Sequence, residues 1–144
     1  MGPRPLLGIG LLLLLLLGPW LAGAGGQVRD PDDLCSIFRE RRSWYHGAVR
    51  SYERWGIPEA VQIAIIHQES SFRAAARPPR SRWLGFLPGA RPSSAYGYGQ
   101  VLDPTWERYR RATGRGDASR DEFADVADFI GWYGDEVHRS TGIA

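Results

Sequence analysis

Apolar and polar positions alternate with the period of a helix along most of the chain. Between residues 30 and 55 the apolar side chains recur at spacings of three and four, with one gap, and most of the arginines lie off this stripe. The stripe consists of Leu34, Ile37, Phe38, Tyr45, Ala48, Val49, Tyr52 and Trp55. This spacing predicts one long amphipathic helix. Asp30 would cap its start with Pro31 in the first turn, and Gly56 would end it.

A second helix is predicted from Pro58 to about Ser70. Its apolar residues lie on nearly every side, at Val61, Ile63, Ala64, Ile65 and Ile66. Because a helix that is apolar all round is normally buried, we expect this one to lie inside the core.

Two further helices are predicted in the C-terminal half. One runs from Asp103, its expected cap, to about Ala112, with Gly114 after its end. Residues 119–122 have the form of a capping box, and Gly142 is placed as a C-terminal stop. The helix between them carries Phe123, Val126, Ala127, Ile130, Tyr133 and Val137 at helical spacing. No segment alternates with the two-residue period of a strand, so we expect a mainly α domain.

The stretch from Arg73 to Ser94 interrupts the helical pattern. It contains four prolines, two glycines and five arginines, and therefore predicts a long loop. Four large apolar residues inside it argue against disorder, because they need something to pack on: Trp83, Leu84, Phe86 and Leu87.

The N-terminal residues have the pattern of a secretory signal peptide. Arg4 gives a positive start, the run Leu6–Leu17 is mostly leucine, and Ala22–Ala24 offers small residues for cleavage. We therefore expect a signal peptide over residues 1–24 and one domain over residues 25–144. The alternative is an uncleaved membrane anchor. Both interpretations imply export, to the periplasm or cell envelope.

The composition excludes several classes of site. All 18 basic residues are arginine, the formal net charge is +2, and Cys35 is the one cysteine, so no internal disulfide can form. An arginine-rich surface favours a polyanionic partner such as a cell envelope. His46, His67 and His138 lack metal-ligand spacing, and the sequence carries no phosphate loop, zinc motif or nucleophilic triad.

Glu69 is the strongest candidate for chemistry. It shares a helix face with Ile65 and Val61, at i−4 and i−8, near the end of the helix expected to be buried. Burial would raise the pKa of such a carboxyl, which is what a general acid needs at neutral pH. The alternative is that Glu69 lies past the last turn and faces solvent.

The segment Ala64–Phe72, AIIHQESSF, resembles the first signature of the lytic transglycosylases and goose-type lysozymes, a buried helix that ends in a catalytic Glu-Ser pair. Residues 94–101, followed by Pro104–Trp106, look like the second signature, a Gly-x-x-Gln turn before a helix start. Both stand in the family's order. The resemblance covers roughly residues 34–143.

The resemblance implies a lysozyme-like helical domain that acts on peptidoglycan without cofactor or metal. In the family, one glutamate protonates the glycosidic oxygen between N-acetylmuramic acid and N-acetylglucosamine. It then accepts the proton of the muramic acid's primary hydroxyl, which closes a 1,6-anhydro ring. The sequence agrees, because no second carboxylate evidently faces Glu69 as a two-carboxylate glycosidase would require.

The resemblance also implies site residues. Glu69 would be the acid/base, and Ser70 would support the glutamate or the substrate, unless it only caps the helix end. Gln100 matches the glutamine whose amide binds a sugar acetamido group.

Four residues of the second signature could contact the saccharide. Gly97 and Gly99 would let the backbone approach it closely. Tyr96 and Tyr98 could stack on sugar rings or pack in the core. Tyr98 and Gly99 replace the apolar pair usual in the family at these positions, so the contacts there can differ.

The expected partners are peptidoglycan glycan strands, with no nucleic acid, and with a membrane only through an uncleaved N-terminal segment. Two alternative functions remain open. One is hydrolysis of the same bond, as in goose-type lysozymes, and the other is a non-catalytic peptidoglycan-binding module.

The family's third signature, a helix with an Ala-Tyr element whose tyrosine holds the glutamate, is not found after Gly142. We therefore expect a truncated version of a longer enzyme, weakly active and less stable than full-length relatives. The alternative is that Tyr96, Tyr98 or Tyr133 takes the place of that tyrosine. Full activity and a sharp, cooperative melt of the 144-residue chain would contradict the truncation.

Overall fold

A computed structural model describes residues 28–142 of the chain, so the expected signal peptide lies outside the described residues. The described helices are α1 (Leu34–Glu40), α2 (Arg42–Trp55), α3 (Glu59–Ser70), α4 (Asp103–Thr113) and α5 (Phe123–Thr141). The expectation of a mainly α domain is confirmed. Over residues 28–142, none of the helices has the length and apolar character needed to cross a membrane.

A small β-hairpin interrupts the segment for which a loop was predicted. Strand β1 (Arg82–Trp83) pairs antiparallel with β2 (Leu87–Pro88). Its strands are too short to produce a recognisable alternation, which is why the pattern analysis missed them.

The prediction of one long N-terminal helix is wrong, because the chain forms two helices that meet at Arg41, whose φ is −126° and ψ 68°. The break falls in the gap of the apolar stripe, where residues 39–42 are all charged. The predicted cap is also wrong. Asp33 caps α1 by accepting hydrogen bonds from the backbone N–H groups of Cys35 and Ser36 at 2.9 and 3.1 Å. Asp30 instead accepts one from the N–H of Asp32.

Helix α3 ends at Ser70 as predicted, but it is only half buried. Ile63 and Ile66 lie in the core, whereas Val61 and Ile65 are 45% and 38% exposed. The prediction of a fully buried helix is therefore wrong for the described residues.

The predicted capping box before α5 is also wrong. The cap position is occupied by Glu122, whose side chain makes no capping hydrogen bond. Ser119 donates its hydroxyl to Asp121 and its backbone N–H to Asp125, the latter at 2.8 Å. These polar contacts hold the turn before the helix in place of a reciprocal box.

Helices α2 and α5 approach each other closely because small residues line their contact. A Cβ atom on Gly131 would lie 2.6 Å from both the Ser51 hydroxyl and Cδ1 of Trp55. The Ser51 hydroxyl donates to the carbonyl of Ala127 at 2.7 Å. A side chain at position 131 would therefore force the two helices apart.

An aromatic cluster centred on Trp44 fills the core beside this contact. Its ring stacks on Phe123 with the ring centroids 4.5 Å apart, and it also packs against Phe72 and Tyr98. Phe72 follows α3 and Tyr98 precedes α4, so the cluster connects both segments to the contact between α2 and α5.

The buried carboxylate of Asp128, on α5, joins that helix to α2 and to α4. It accepts hydrogen bonds from Trp55 Nε1 at 2.9 Å and the Tyr109 hydroxyl at 2.7 Å, and it pairs with Arg115 at 2.9 Å. Burial alone would raise the pKa of Asp128, but the hydrogen bonds from Tyr109, Trp55 and Arg115 outweigh it and hold the pKa below its ordinary value. Burial and the bond to Asp128 raise the pKa of Tyr109.

We expect Asp128→Asn to lower the free energy of unfolding by about 2 kcal/mol at neutral pH, because Trp55, Tyr109 and Arg115 lose an ionised acceptor. Arg115 keeps its ion pair with Asp125 at 2.6 Å. Since the pKa of Asp128 is lower in the folded state, its contribution is present above the ordinary value of 3.8 and is lost as the pH falls below it. Urea denaturation of both proteins at neutral and acid pH should show the difference shrinking in acid. The exposed Asp117→Asn is the matched control, and equal losses in both variants would contradict this role.

Candidate functional site

Glu69 lies one residue before the end of α3, at one end of an open groove. The groove has a volume of about 540 Å³ and is otherwise lined by Ala60, Val61, Ala64, Ile65 and Gln68. Glu69 is exposed, so the expectation of a buried carboxylate is wrong. The shared face with Val61 and Ile65 was identified correctly, but that face is largely open to solvent, with Val61 45% and Ile65 38% exposed.

The carboxylate of Glu69 makes no hydrogen bond or ion pair with another residue in the range 28–142. The alternative prediction, that a tyrosine of this chain binds the Glu69 carboxylate, is therefore wrong for residues 28–142. The Tyr96 hydroxyl donates instead to Asp121 at 2.9 Å. Among the described tyrosines, Tyr98 is buried in the core and Tyr133 is 43% exposed on α5.

Ser70 faces inward, away from the groove. It is 2% exposed, and its hydroxyl donates to the carbonyl of Ile66 at 3.1 Å. Its own carbonyl accepts hydrogen bonds from Nε of Arg73 at 3.0 Å and from the backbone N–H of Arg73 at 3.2 Å. These hydrogen bonds of Ser70 stabilise the end of α3. They therefore fix the backbone position of the neighbouring Glu69.

The chain reverses sharply after Ser70. Ser71 and Phe72 both have positive φ, 49° and 62°, and Phe72 is only 3% exposed. Its ring stacks on His67 at 5.0 Å and packs on Trp44 at 5.5 Å. The buried ring anchors two successive left-handed residues, which are unfavourable for non-glycine side chains unless packing enforces them.

Gln100 joins the second signature to the segment that follows the first. Its Nε2 donates to the carbonyls of Ala76 and Gly97, both at 2.9 Å, and the backbone N–H of Gly97 donates to Ala76 at 3.0 Å. Both amide hydrogens are thus used within the protein. The amide oxygen of Gln100 is left as the atom that could accept a hydrogen bond from a ligand.

Gly97 and Gly99 allow other parts of this chain to approach the backbone of the turn closely. Gly97 has φ +82°, and a Cβ there would lie 1.9 Å from the carbonyl oxygen of Arg120. A Cβ on Gly99 would lie 3.0 Å from Cγ1 of Val126. The sequence predicted that these glycines admit a saccharide, whereas the structure shows them admitting neighbouring parts of the protein.

The rings of both tyrosines in this turn are in contact with other residues of the protein. Tyr98 is 9% exposed and packs edge-on against Trp44 and Phe123, and its burial raises its pKa. The Arg77 guanidinium lies 4.0 Å from the centroid of the Tyr96 ring. The hydrogen bond to Asp121, together with burial, raises the pKa of Tyr96. Of the two interpretations of Tyr98, the structure favours core packing.

Arg120 is a residue that the sequence analysis placed only in a capping box, although it holds the second signature together. Its guanidinium donates to the carbonyl of Val101 at 2.7 Å and to that of Ser94 at 3.2 Å, and pairs with Asp103 at 2.7 Å. Asp103 is the first helical residue of α4 and not its cap. The spacing of neighbouring residues cannot predict these contacts, because they join residues that are far apart in the sequence.

These features define a lysozyme-like helical domain in which Ala76, six residues after the Glu-Ser end of α3, is hydrogen-bonded to a glycine-glutamine turn. The chain matches the family model described as Transglycosylase SLT domain over residues 11–144, and it belongs to that family. No curated protein and no solved structure matched the chain. Membership indicates lytic-transglycosylase-type activity on peptidoglycan.

We expect Gly97→Ala to destabilise the protein by about 3 kcal/mol, because it combines a positive φ with a clash against the backbone of Arg120. Gly116→Ala is the matched control, since nothing lies within 4 Å of a Cβ at that position. Thermal melts of both variants test this. A Gly97→Ala protein as stable as Gly116→Ala would mean that the turn differs from the one described.

Proposed function

We propose that this protein is a lytic transglycosylase that cleaves the bond between N-acetylmuramic acid and N-acetylglucosamine and leaves 1,6-anhydro-muramic acid ends. The observation that carries the proposal is the groove beside α3, with Glu69 at its end. Family membership supports the substrate class.

The groove has the character of a sugar-binding surface. The groove is shallow, and its wall is apolar along Ala60, Val61, Ala64 and Ile65. Pyranose rings carry apolar faces that such a wall can cover. Gln68 and Glu69 then supply polar groups at one end only, which would set the orientation of a bound strand.

Glu69 would act in two proton transfers. The protonated carboxyl gives its proton to the glycosidic oxygen as the bond to the muramic acid breaks. The resulting carboxylate then takes the proton of that sugar's primary hydroxyl, whose oxygen bonds to the anomeric carbon. The cycle returns the carboxyl to its protonated form and consumes no water.

A general acid at neutral pH must be shielded from water, and the groove is open over the described residues. We propose that the glycan strand provides this shielding, because a strand lying along the apolar wall would cover the carboxyl. The amide oxygen of Gln100 is suited to accept a hydrogen bond from a sugar acetamido N–H, since both of its amide hydrogens are already bonded.

A second candidate is a non-catalytic peptidoglycan-binding module. The exposure of Glu69, with no hydrogen-bond partner among residues 28–142, favours this alternative, because a catalytic carboxyl is usually held in place by neighbours. Turnover of purified peptidoglycan separates the two.

We expect Glu69→Gln to lower the rate of muropeptide release by about a hundred- to ten-thousand-fold, because it keeps the size of the side chain and removes its proton. Its exposure predicts a change in unfolding free energy within about 0.5 kcal/mol. Glu53→Gln, an exposed glutamate on α2, is the matched control. A folded Glu69→Gln protein that keeps its rate within a few-fold of the original would exclude the acid/base role.

The products distinguish the lyase from a hydrolase. We expect mass spectra of the released muropeptides to show anhydro ends, lighter by one water than the ends that hydrolysis produces. Spectra with reducing ends alone would assign the protein to the hydrolytic reaction of the goose-type lysozymes, and no release at all would support the binding module.

A further inference from the structure

The β-hairpin displays large apolar side chains to solvent. Leu84, Phe86 and Leu87 are 66%, 75% and 40% exposed. The sequence predicted that residues of this segment pack on a neighbouring part of the protein, and for these three that prediction is wrong. We call them the apolar tip.

The hairpin that carries this tip has a defined shape. The backbone N–H of Ser81 donates to the carbonyl of Ala90 at 3.0 Å, and that of Gly89 donates to the carbonyl of Ser81 at 2.7 Å. The turn uses two positive φ values, 52° at Leu84 and 80° at Gly85. Because these hydrogen bonds and this turn define the hairpin, the apolar tip has a fixed conformation without a partner.

The surroundings of the tip are uniformly cationic. Between residues 70 and 102 the sequence has five arginines and no aspartate or glutamate. Three of them, Arg80, Arg82 and Arg91, line a groove of about 620 Å³ whose wall also includes Phe86. The chain as a whole is nearly neutral, with a formal net charge of +2, so this concentration of charge is local.

We propose that the hairpin docks on the surface of a bilayer that contains anionic phospholipids. Leu84 and Phe86 enter the boundary between headgroups and acyl chains, while Arg80, Arg82 and Arg91 bind the phosphates. This docking is separate from anchoring by an uncleaved N-terminal segment, and it does not depend on the reaction proposed for Glu69.

A bilayer accounts for both properties of the hairpin at once. A soluble polyanion would satisfy the arginines and leave three apolar side chains in water. A glycan strand offers apolar pyranose faces, but it has no continuous apolar layer that the side chains of the tip could enter together. In an anionic bilayer the phosphates lie next to an apolar layer. The hairpin likewise carries its arginines next to the apolar side chains of its tip, so both sets of side chains would meet a matching part of the bilayer.

The hairpin lies between the two signatures in the sequence. The segment that carries the hairpin begins after Ala76 and ends before Gly97, and the backbone N–H of Gly97 donates to the carbonyl of Ala76. Docking of the hairpin would therefore hold the turn at Gln100 close to the membrane surface.

The test uses the chain recovered after export, mixed with vesicles of phosphatidylcholine alone or of phosphatidylcholine and phosphatidylglycerol in equal amounts. We expect co-sedimentation with the anionic vesicles that weakens as salt rises. Protection of the bond after Arg82 from trypsin is measured in parallel, because it reports on the hairpin whatever the N-terminal segment does. Cleavage after Arg111, on α4, serves as the internal control.

Two pairs of variants separate the two contributions. Arg80→Gln with Arg82→Gln should weaken binding about 25-fold, since each arginine near an anionic surface is worth about fivefold. The matched control replaces exposed Arg50 and Arg111 in the same way and should leave binding within a few-fold.

For the tip, Leu84→Ser with Phe86→Ser should abolish trypsin protection and leave the melting temperature unchanged, because both side chains are exposed. The matched control is Val137→Ser, an exposed aliphatic residue on α5 that is 41% accessible. Equal protection by neutral and anionic vesicles would overturn the proposal. So would loss of binding in the arginine variants with full binding in the tip variants, which would indicate a soluble polyanion site, tested directly with inorganic polyphosphate.

Discussion

The close packing of α5 on α2 is the contact on which the other helices depend. It requires a glycine at position 131, because Ser51 and Trp55 occupy the space where a side chain would lie. This proximity lets Trp55 of α2 donate to Asp128 of α5. The same carboxylate then binds Tyr109 of α4 and Arg115 just after it, so a third helix is attached through one buried charge.

The position of the candidate site depends on this contact as well as on the hydrogen bonds of Ser70. The stack of Trp44 on Phe123 fills the space beside the two helices, and Phe72 and Tyr98 pack on the same indole. Phe72 fixes the end of α3, and Tyr98 fixes the turn before α4. The hydrogen bonds that converge on Ala76 join the two segments directly. A change in the aromatic core would therefore alter the approach to Glu69 without touching it.

The features that the sequence predicted well are those that depend on neighbouring residues. Gly56, Gly114 and Gly142 each end a helix in the left-handed conformation, and α3 ends at Ser70 as its pattern indicates. A glycine stop is a property of its own backbone, so no knowledge of the fold is needed to place it.

The features that the sequence did not predict depend on which surfaces meet. Periodicity placed Val61, Ile65 and Glu69 on one face of α3, but it cannot say whether another element covers that face. Likewise, the roles of Arg120 and Gln100 arise from carbonyls far away in the sequence, at Ser94 and Ala76. Glu69 could therefore be identified as the candidate acid from the sequence, whereas its exposure could not.

Asp128 and Glu69 show how environment separates two carboxylates of one domain. Asp128 is withdrawn from water but receives hydrogen bonds from Trp55, Tyr109 and Arg115, so its ionised form is favoured and its role is structural. Glu69 has no such donor among residues 28–142 and lies against an apolar wall. A ligand that covers that wall would exclude water from the carboxyl, as the proposed acid step requires. Under the proposed function, the substrate strand is thus part of the acid's environment, and a short saccharide that leaves the wall uncovered should be a poor substrate even where it reaches Glu69.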